Sequence, residues 1–136
     1  MMTTRRLLTW RPPAIAVEPV APPWLVADLL RTKLAHDGVA RWRATGASMR
    51  GSINNGDTIT VRAASAADVR PGSVVVAELP FGLAVHRVRR VHNGSVQLKG
   101  DGRLRSDPPI ALDNVIGVVD PAPPFRLRSL LFRLIP

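Results

Sequence analysis

Apolar positions along this chain follow two different rhythms, and the change between them organises it. From Trp24 onward, Trp24, Leu25, Val26, Leu29, Leu30 and Leu34 fall near one face at helical spacing, because side chains three and four apart stack together on a helix. This predicts one amphipathic helix over residues 24–38. Pro23 suits its first turn, where the missing N–H is not needed, and Gly38 suits the C-terminal cap. From Val39 the period shortens to two. The alternation predicts strands at 39–44, 57–62, 73–78, 83–91, 95–99 and 114–119.

Turn chemistry separates these strands: Asn54-Asn55-Gly56, Pro71-Gly72, Pro80-Phe81-Gly82, Asn93-Gly94 and Pro108-Pro109. Short strands punctuated in this way predict a mainly β domain from about 39 to 120, coiled or barrel-like. Before the helix, residues 1–23 hold five prolines and read as an extended leader. After the strands, residues 121–136 form a basic tail in which Leu127, Leu130, Leu131 and Leu134 recur at helical spacing among Arg126, Arg128 and Arg133. That composition suits either packing back on the domain or weak peripheral contact of residues 125–136 with an anionic membrane surface.

Composition narrows the classes. A chain of 136 residues makes one domain large enough to bury its own core. It has no cysteine, so neither disulfides nor thiolate metal sites hold it together, and no cofactor is expected. The net charge of +9 is carried almost wholly by scattered arginines. Nucleic-acid readers interleave basic residues with exposed aromatics, and here the aromatics are few and far apart, so no nucleic-acid partner is expected. No stretch approaches the ~20 consecutive apolar residues of a membrane span. The basic-apolar start Arg5 to Trp10 is cut off by Arg11-Pro12-Pro13 too early for a secretory signal, which predicts a cytoplasmic protein.

The chemistry rests on few residues. Ser48 in Gly46-Ala47-Ser48-Met49 offers a nucleophile, His86 in Val85-His86-Arg87-Val88 a base, and Asp101 or Asp107 a carboxylate to orient that base. A serine hydroxyl attacks well only when a neighbouring base takes its proton, and an imidazole serves only when its tautomer is fixed. Each residue alone reads as well as a turn serine, a strand histidine and two turn aspartates. His36 and His92 read as solvated.

Their order carries more. Gly46-Ala47-Ser48-Met49, Asn55-Gly56-Asp57-Thr58-Ile59, Arg70-Pro71-Gly72-Ser73-Val74-Val75, Val85-His86-Arg87-Val88, Leu98-Lys99-Gly100-Asp101 with Asp107, and Val115-Ile116-Gly117-Val118-Val119 resemble, in sequence, the motifs of the type I signal peptidase family. The resemblance covers residues 39 to 120 and is to the Ser-His-Asp branch, since His86 stands where the usual bacterial branch has lysine. It implies a β-clip-like coiled sheet and a serine endopeptidase acting on a specific precursor or leader peptide. Ser48 would be the nucleophile, His86 the base, Asp107 the orienting carboxylate with Asp101 as contender, and Asp57 a turn residue. Gly46, Ala47 and Met49 would border the substrate and the oxyanion hole, with Ala47, Met49 and Ile53 lining a shallow apolar groove. At two positions the pattern departs. Gly51 stands where the family usually has proline, which predicts a looser turn under Ser48, and Gly46 stands where a serine often assists the oxyanion. Two other functions suit the same fold: self-processing of the Pro-rich leader, as in SOS repressors with their lysine base, and a non-catalytic peptide-binding module.

Overall fold

A computed structural model describes residues 21–126 of the chain. The proline-rich leader up to residue 20 and the tail from residue 127 lie outside the described residues, and with them the amphipathic repeat of Leu127 to Leu134. Among the described residues no helix is long and apolar enough to cross a membrane.

Helix α1 spans Pro23–Asp37. Proline at its first position leaves the Pro22 carbonyl to accept the Leu25 and Val26 N–H groups. Gly38 closes the helix in the left-handed conformation, φ 77°, and donates its N–H to Leu34 O at 2.8 Å, the stop that a residue without Cβ makes cheaply. The buried stripe is Ala27, Leu30 and Leu34, whereas Trp24 and Leu29 stand 63% and 61% exposed. The expected apolar face was therefore too wide. A helix on a sheet covers one stripe, and α1 turns its smallest member, Ala27, inward.

Seven strands follow: β1 Val39–Arg43, β2 Thr58–Ala63, β3 Val74–Leu79, β4 Gly82–His92, β5 Ser95–Lys99, β6 Ile110–Ala111 and β7 Val115–Val119. They form one antiparallel sheet in the order β1-β2-β7-β3-β4-β5-β6, so the fold is mainly β with a single helix. The short β6 falls just after Pro108-Pro109, where only turn chemistry was legible. At the centre, β3 buries Val74, Val75, Val76 and Ala77 without alternation. Both of its faces are covered, the condition under which a strand becomes a continuous apolar run.

The two faces belong to two cores. One gathers Leu30, Leu34, Met49, Ile53, Val61, Val74 and Val76 beneath α1. The other gathers Val69, Val75, Ala77, Val88, Val96 and Leu98 on the opposite side. Gly117 on β7 is needed where α1 crosses the sheet. A Cβ there would lie 2.6 Å from Val61 Cγ1 and 2.8 Å from Arg62 O.

One feature of pairing prepares the site. Strand β4 pairs with β3 over Gly82 to Arg87, but with β5 only over Arg87 to His92. No strand covers the second edge of Gly82 to His86 among the described residues.

Candidate active site

Ser48 sits in a chain of tight turns between β1 and β2. Arg50 N–H donates to Ala47 O, and the Ser52 and Ile53 N–H groups both donate to Met49 O. Buried Met49 and Ile53 sink this segment into the first core, leaving Ser48 half-buried at the surface. Gly51 carries φ 93° and donates its N–H to Asn54 Oδ1 at 3.1 Å. The turn below Ser48 is thus closed by hydrogen bonds, and not loosened by the glycine as expected. A proline, locked near φ −65° and without an N–H, has no place in it. Asp57 has the expected turn position, accepting the Asn54 N–H on Oδ2 and returning its own N–H to Asn54 O.

His86 projects from the half of β4 that has a free edge, opposite Val75 on β3. Its Nε2 lies 2.9 Å from Ser48 Oγ and its Nδ1 2.5 Å from Asp107 Oδ2. The side chains of His86 and Asp107 are 5% and 14% exposed. A carboxylate on Nδ1 holds the proton there, which leaves Nε2 as the acceptor for the Ser48 hydroxyl. Asp107 is fixed in turn by its backbone, whose N–H donates to Leu98 O at the end of β5.

Asp101 faces elsewhere. Its carboxylate receives Arg87 Nε at 3.0 Å and Arg87 Nη2 at 2.8 Å, and it is only 3% exposed. The same guanidinium donates to Gly72 O and Pro123 O. Asp101 therefore holds the arginine that ties β4 to a turn and to the segment after β7, whereas the carboxylate on the histidine is that of Asp107. His36 and His92 lie away from this cluster, bonded to the adjacent Asp37 and Asn93.

The loop after β5 presses on the serine from behind. Gly102 N–H donates to Ser48 O at 2.8 Å, and a Cβ on Gly100 would stand 2.4 Å from that same oxygen. These glycines were unassigned in the sequence, although their place on both sides of Asp101 was a sign of close backbone approach.

Gly46 has φ 91°, and its N–H is taken by Asn55 Oδ1 at 3.0 Å. It is not available to an oxyanion. The Ser48 N–H donates to no protein group among the described residues. Met49 is a packing residue, 3% exposed, with its sulfur accepting the Asp101 N–H. Ala47 lines the opening.

That opening is a cleft of about 900 Å³, larger than the shallow groove expected from Ala47, Met49 and Ile53. Trp42, Val76, Leu83 and Val85 extend its apolar wall, and Phe81 and Leu104 stand at its rim, 67% and 71% exposed. Among the described residues no cluster of three or more His, Asp or Glu is placed to hold a metal ion.

The Peptidase S24-like family model matches residues 18–119, which includes the helix, the sheet and the whole serine–histidine–aspartate cluster. The chain belongs to that family. No curated protein and no solved structure gives a significant match. The S24-like match begins upstream of α1, so the helix is part of the family unit along with the strands. Serine peptidases and self-cleaving regulators share this S24-like architecture, and in this chain it brings a histidine, not a lysine, to the serine.

Proposed function

We propose that this S24-like protein is a serine endopeptidase that cleaves a specific precursor or leader peptide through a Ser48 acyl-enzyme. The observation that carries the reading is the continuous relay from Ser48 Oγ through His86 to Asp107, at 2.9 and 2.5 Å. The Ser48–His86 distance falls within the reach of about 2.6 to 3.2 Å expected of a nucleophile and its base, and Asp107 closes on the far side of the ring.

In the reaction, Ser48 Oγ attacks the scissile carbonyl carbon as its proton passes to His86 Nε2. Asp107 stabilises the imidazolium that forms and keeps the ring oriented. The Ser48 N–H is the donor for the developing oxyanion, with Thr45 or a water as the second. Collapse of the tetrahedral intermediate breaks the C–N bond, and His86 returns its proton to the leaving amine. A water then attacks the acyl-enzyme, giving a proton to His86 and releasing the acid, and the histidine restores the Ser48 hydroxyl. The substrate backbone lies as an added strand along the free edge of Gly82 to His86, a common mode of peptide capture.

The finer assignment is to the signal peptidase-like branch that uses Ser-His-Asp. The ordered motifs between residues 39 and 120 and the occupancy of the base position by His86 support it. A fluorophosphonate probe tests the reaction: the full chain takes up label at Ser48, and Ser48→Ala takes up none. Labelling that persists in Ser48→Ala overturns the proposal.

A second reading, self-processing, is favoured by one contact. Pro23 Cγ lies 3.8 Å from the Cβ position of Gly82, so the chain enters α1 beside the strand that forms the cleft wall. Mass spectrometry of the purified chain over several days would then find a truncated N-terminus that Ser48→Ala never develops.

A further inference from the structure

The loop from Gly102 to Pro108 forms one wall of the cleft. Arg103, Leu104 and Arg105 on it are all exposed. Three arginines elsewhere in the fold are held by carboxylates: Arg31 by Glu78, Arg62 by Asp68 and Asp120, and Arg87 by Asp101. The side chains of Arg103 and Arg105 meet no acidic group among the described residues. The one carboxylate in the lining, Asp107, is already held by His86. Two exposed guanidiniums thus share an opening with one engaged carboxylate, and a cleft focuses their field on anions more strongly than a flat surface would.

The facing wall is different. Trp42 on β1, Phe81 just before β4, and Leu83 and Val85 on β4 are apolar, and the last two lead along β4 to His86. The Ser48–His86 pair lies where the walls meet, because His86 follows Val85 on one and bonds Asp107 at the end of the other.

We infer that the cleft selects an extended peptide with apolar residues on one side of the bond presented to Ser48 and acidic residues, facing Arg103 and Arg105, on the other. The inference uses the peptidase reading only to locate that bond. Leu104 and Phe81 at the rim also suit a lipid surface, but Arg103 and Arg105 belong to the lining of the cleft that holds Ser48 and His86, which favours a peptide.

Calorimetry on the full-length Ser48→Ala protein tests this without any turnover. The probes are two peptides with the same Ala-Leu-Ala core, flanked by Asp-Glu in one and Lys-Lys in the other, each also made with the flank at the opposite end. The acidic peptide in one of the two orders is expected to bind roughly three- to tenfold tighter than its basic counterpart, as two exposed charge contacts allow. The ratio falls between about 0.1 M and about 1 M salt, as the screening length shrinks from about 10 Å to about 3 Å. Adding Arg103→Gln with Arg105→Gln brings the ratio near one, and Arg103→Glu with Arg105→Glu inverts it. Equal binding of the two peptides, no binding of either, or a ratio unmoved by these variants overturns the inference. So does a ratio of one accompanied by arginine-dependent binding to phosphatidylglycerol vesicles, which assigns the loop to a lipid surface. Fluorophosphonate labelling of Ser48 reports separately on the peptidase reading, so either reading can fail while the other stands.

Discussion

Ser48 O accepts the Gly102 N–H at 2.8 Å, and a Cβ on Gly100 would lie 2.4 Å from the same oxygen. The backbone that presents the candidate nucleophile is thus braced by a loop distant in sequence, at a separation only glycine allows. Gly100→Ala must push the Ser48 carbonyl or its own loop aside. The Gly102 position is more forgiving, since its Cβ would stand 3.1 Å from Ala47 O. Crowding of this kind costs about 1 to 3 kcal/mol, and a displacement of ~1 Å at a reacting group costs about 10²-fold in rate. Fluorophosphonate labelling rates are expected to fall most in Gly100→Ala, less in Gly102→Ala, with thermal denaturation recording a smaller Tm loss in the second.

The two aspartates divide into different roles, and isosteric substitution separates them. Asp107→Asn leaves the packing in place, but its amide no longer holds the proton on His86 Nδ1. The comparable change in serine–histidine–aspartate peptidases lowers turnover about 10⁴-fold, and a loss of that order in labelling or cleavage is expected at nearly unchanged Tm. Asp101→Asn instead leaves Arg87, whose side chain is 15% exposed, without its counter-charge. Breaking a buried pair costs about 3 to 5 kcal/mol, so this variant is expected to show a large drop in denaturant midpoint. Equal Tm values for the two variants would contradict the division.

Much of this was legible because local pattern and tertiary role agree. The Gly38 cap, the Ser95–Lys99 strand and the turn at Asn54 to Asp57 follow from residue chemistry within a few positions. The order Ser48, His86, Asp107 marked out the three residues that meet. What stayed hidden depends on distant partners. Asp101 and Asp107 lie in the same loop region with similar neighbours, and only the direction of Arg87 from β4 separates them. Trp24 and Leu29 share the apolar character of the buried stripe, and only the narrow contact of α1 with the sheet leaves them outside. The two-residue strand β6 carries too short a pattern to be read at all.

Acid stability has a definite contributor outside the cleft. Asp68 is bound by the Arg62 guanidinium, by the Ser65 N–H and by the Ser65 hydroxyl, and these hold its carboxyl well below the usual carboxylate range. A carboxyl depressed in the folded state stabilises it fully above its unfolded value of about 3.9 and loses that contribution as pH falls through the folded value. Asp68→Asn is therefore expected to lower Tm at pH 7, with the gap to wild type narrowing once the pH drops below about 4. The pair is surface-exposed, so high salt should shrink the gap at pH 7 as well. Tm measured across pH for both proteins checks the sign: a gap that widens in acid would be the wrong one.

Restoring the proline of the resembling family at Gly51 is expected to harm this protein. With φ 93° and its N–H on Asn54 Oδ1, Gly51 occupies a conformation that proline cannot enter and uses a donor that proline lacks. Gly51→Ala tests the backbone strain alone, because alanine keeps the N–H but disfavours positive φ. Substitutions at an incompatible conformation cost more than about 1 kcal/mol, and the proline variant is expected to be worse than the alanine. Since the Ile53 and Ser52 N–H groups close on Met49 O in the same turns, the disturbance should reach Ser48 directly. Labelling is expected to decline in the order wild type, Gly51→Ala, Gly51→Pro, in parallel with the denaturant midpoint. A proline variant as stable and as reactive as wild type would mean that the turn beneath Ser48 adopts a different conformation, in which residue 51 has negative φ.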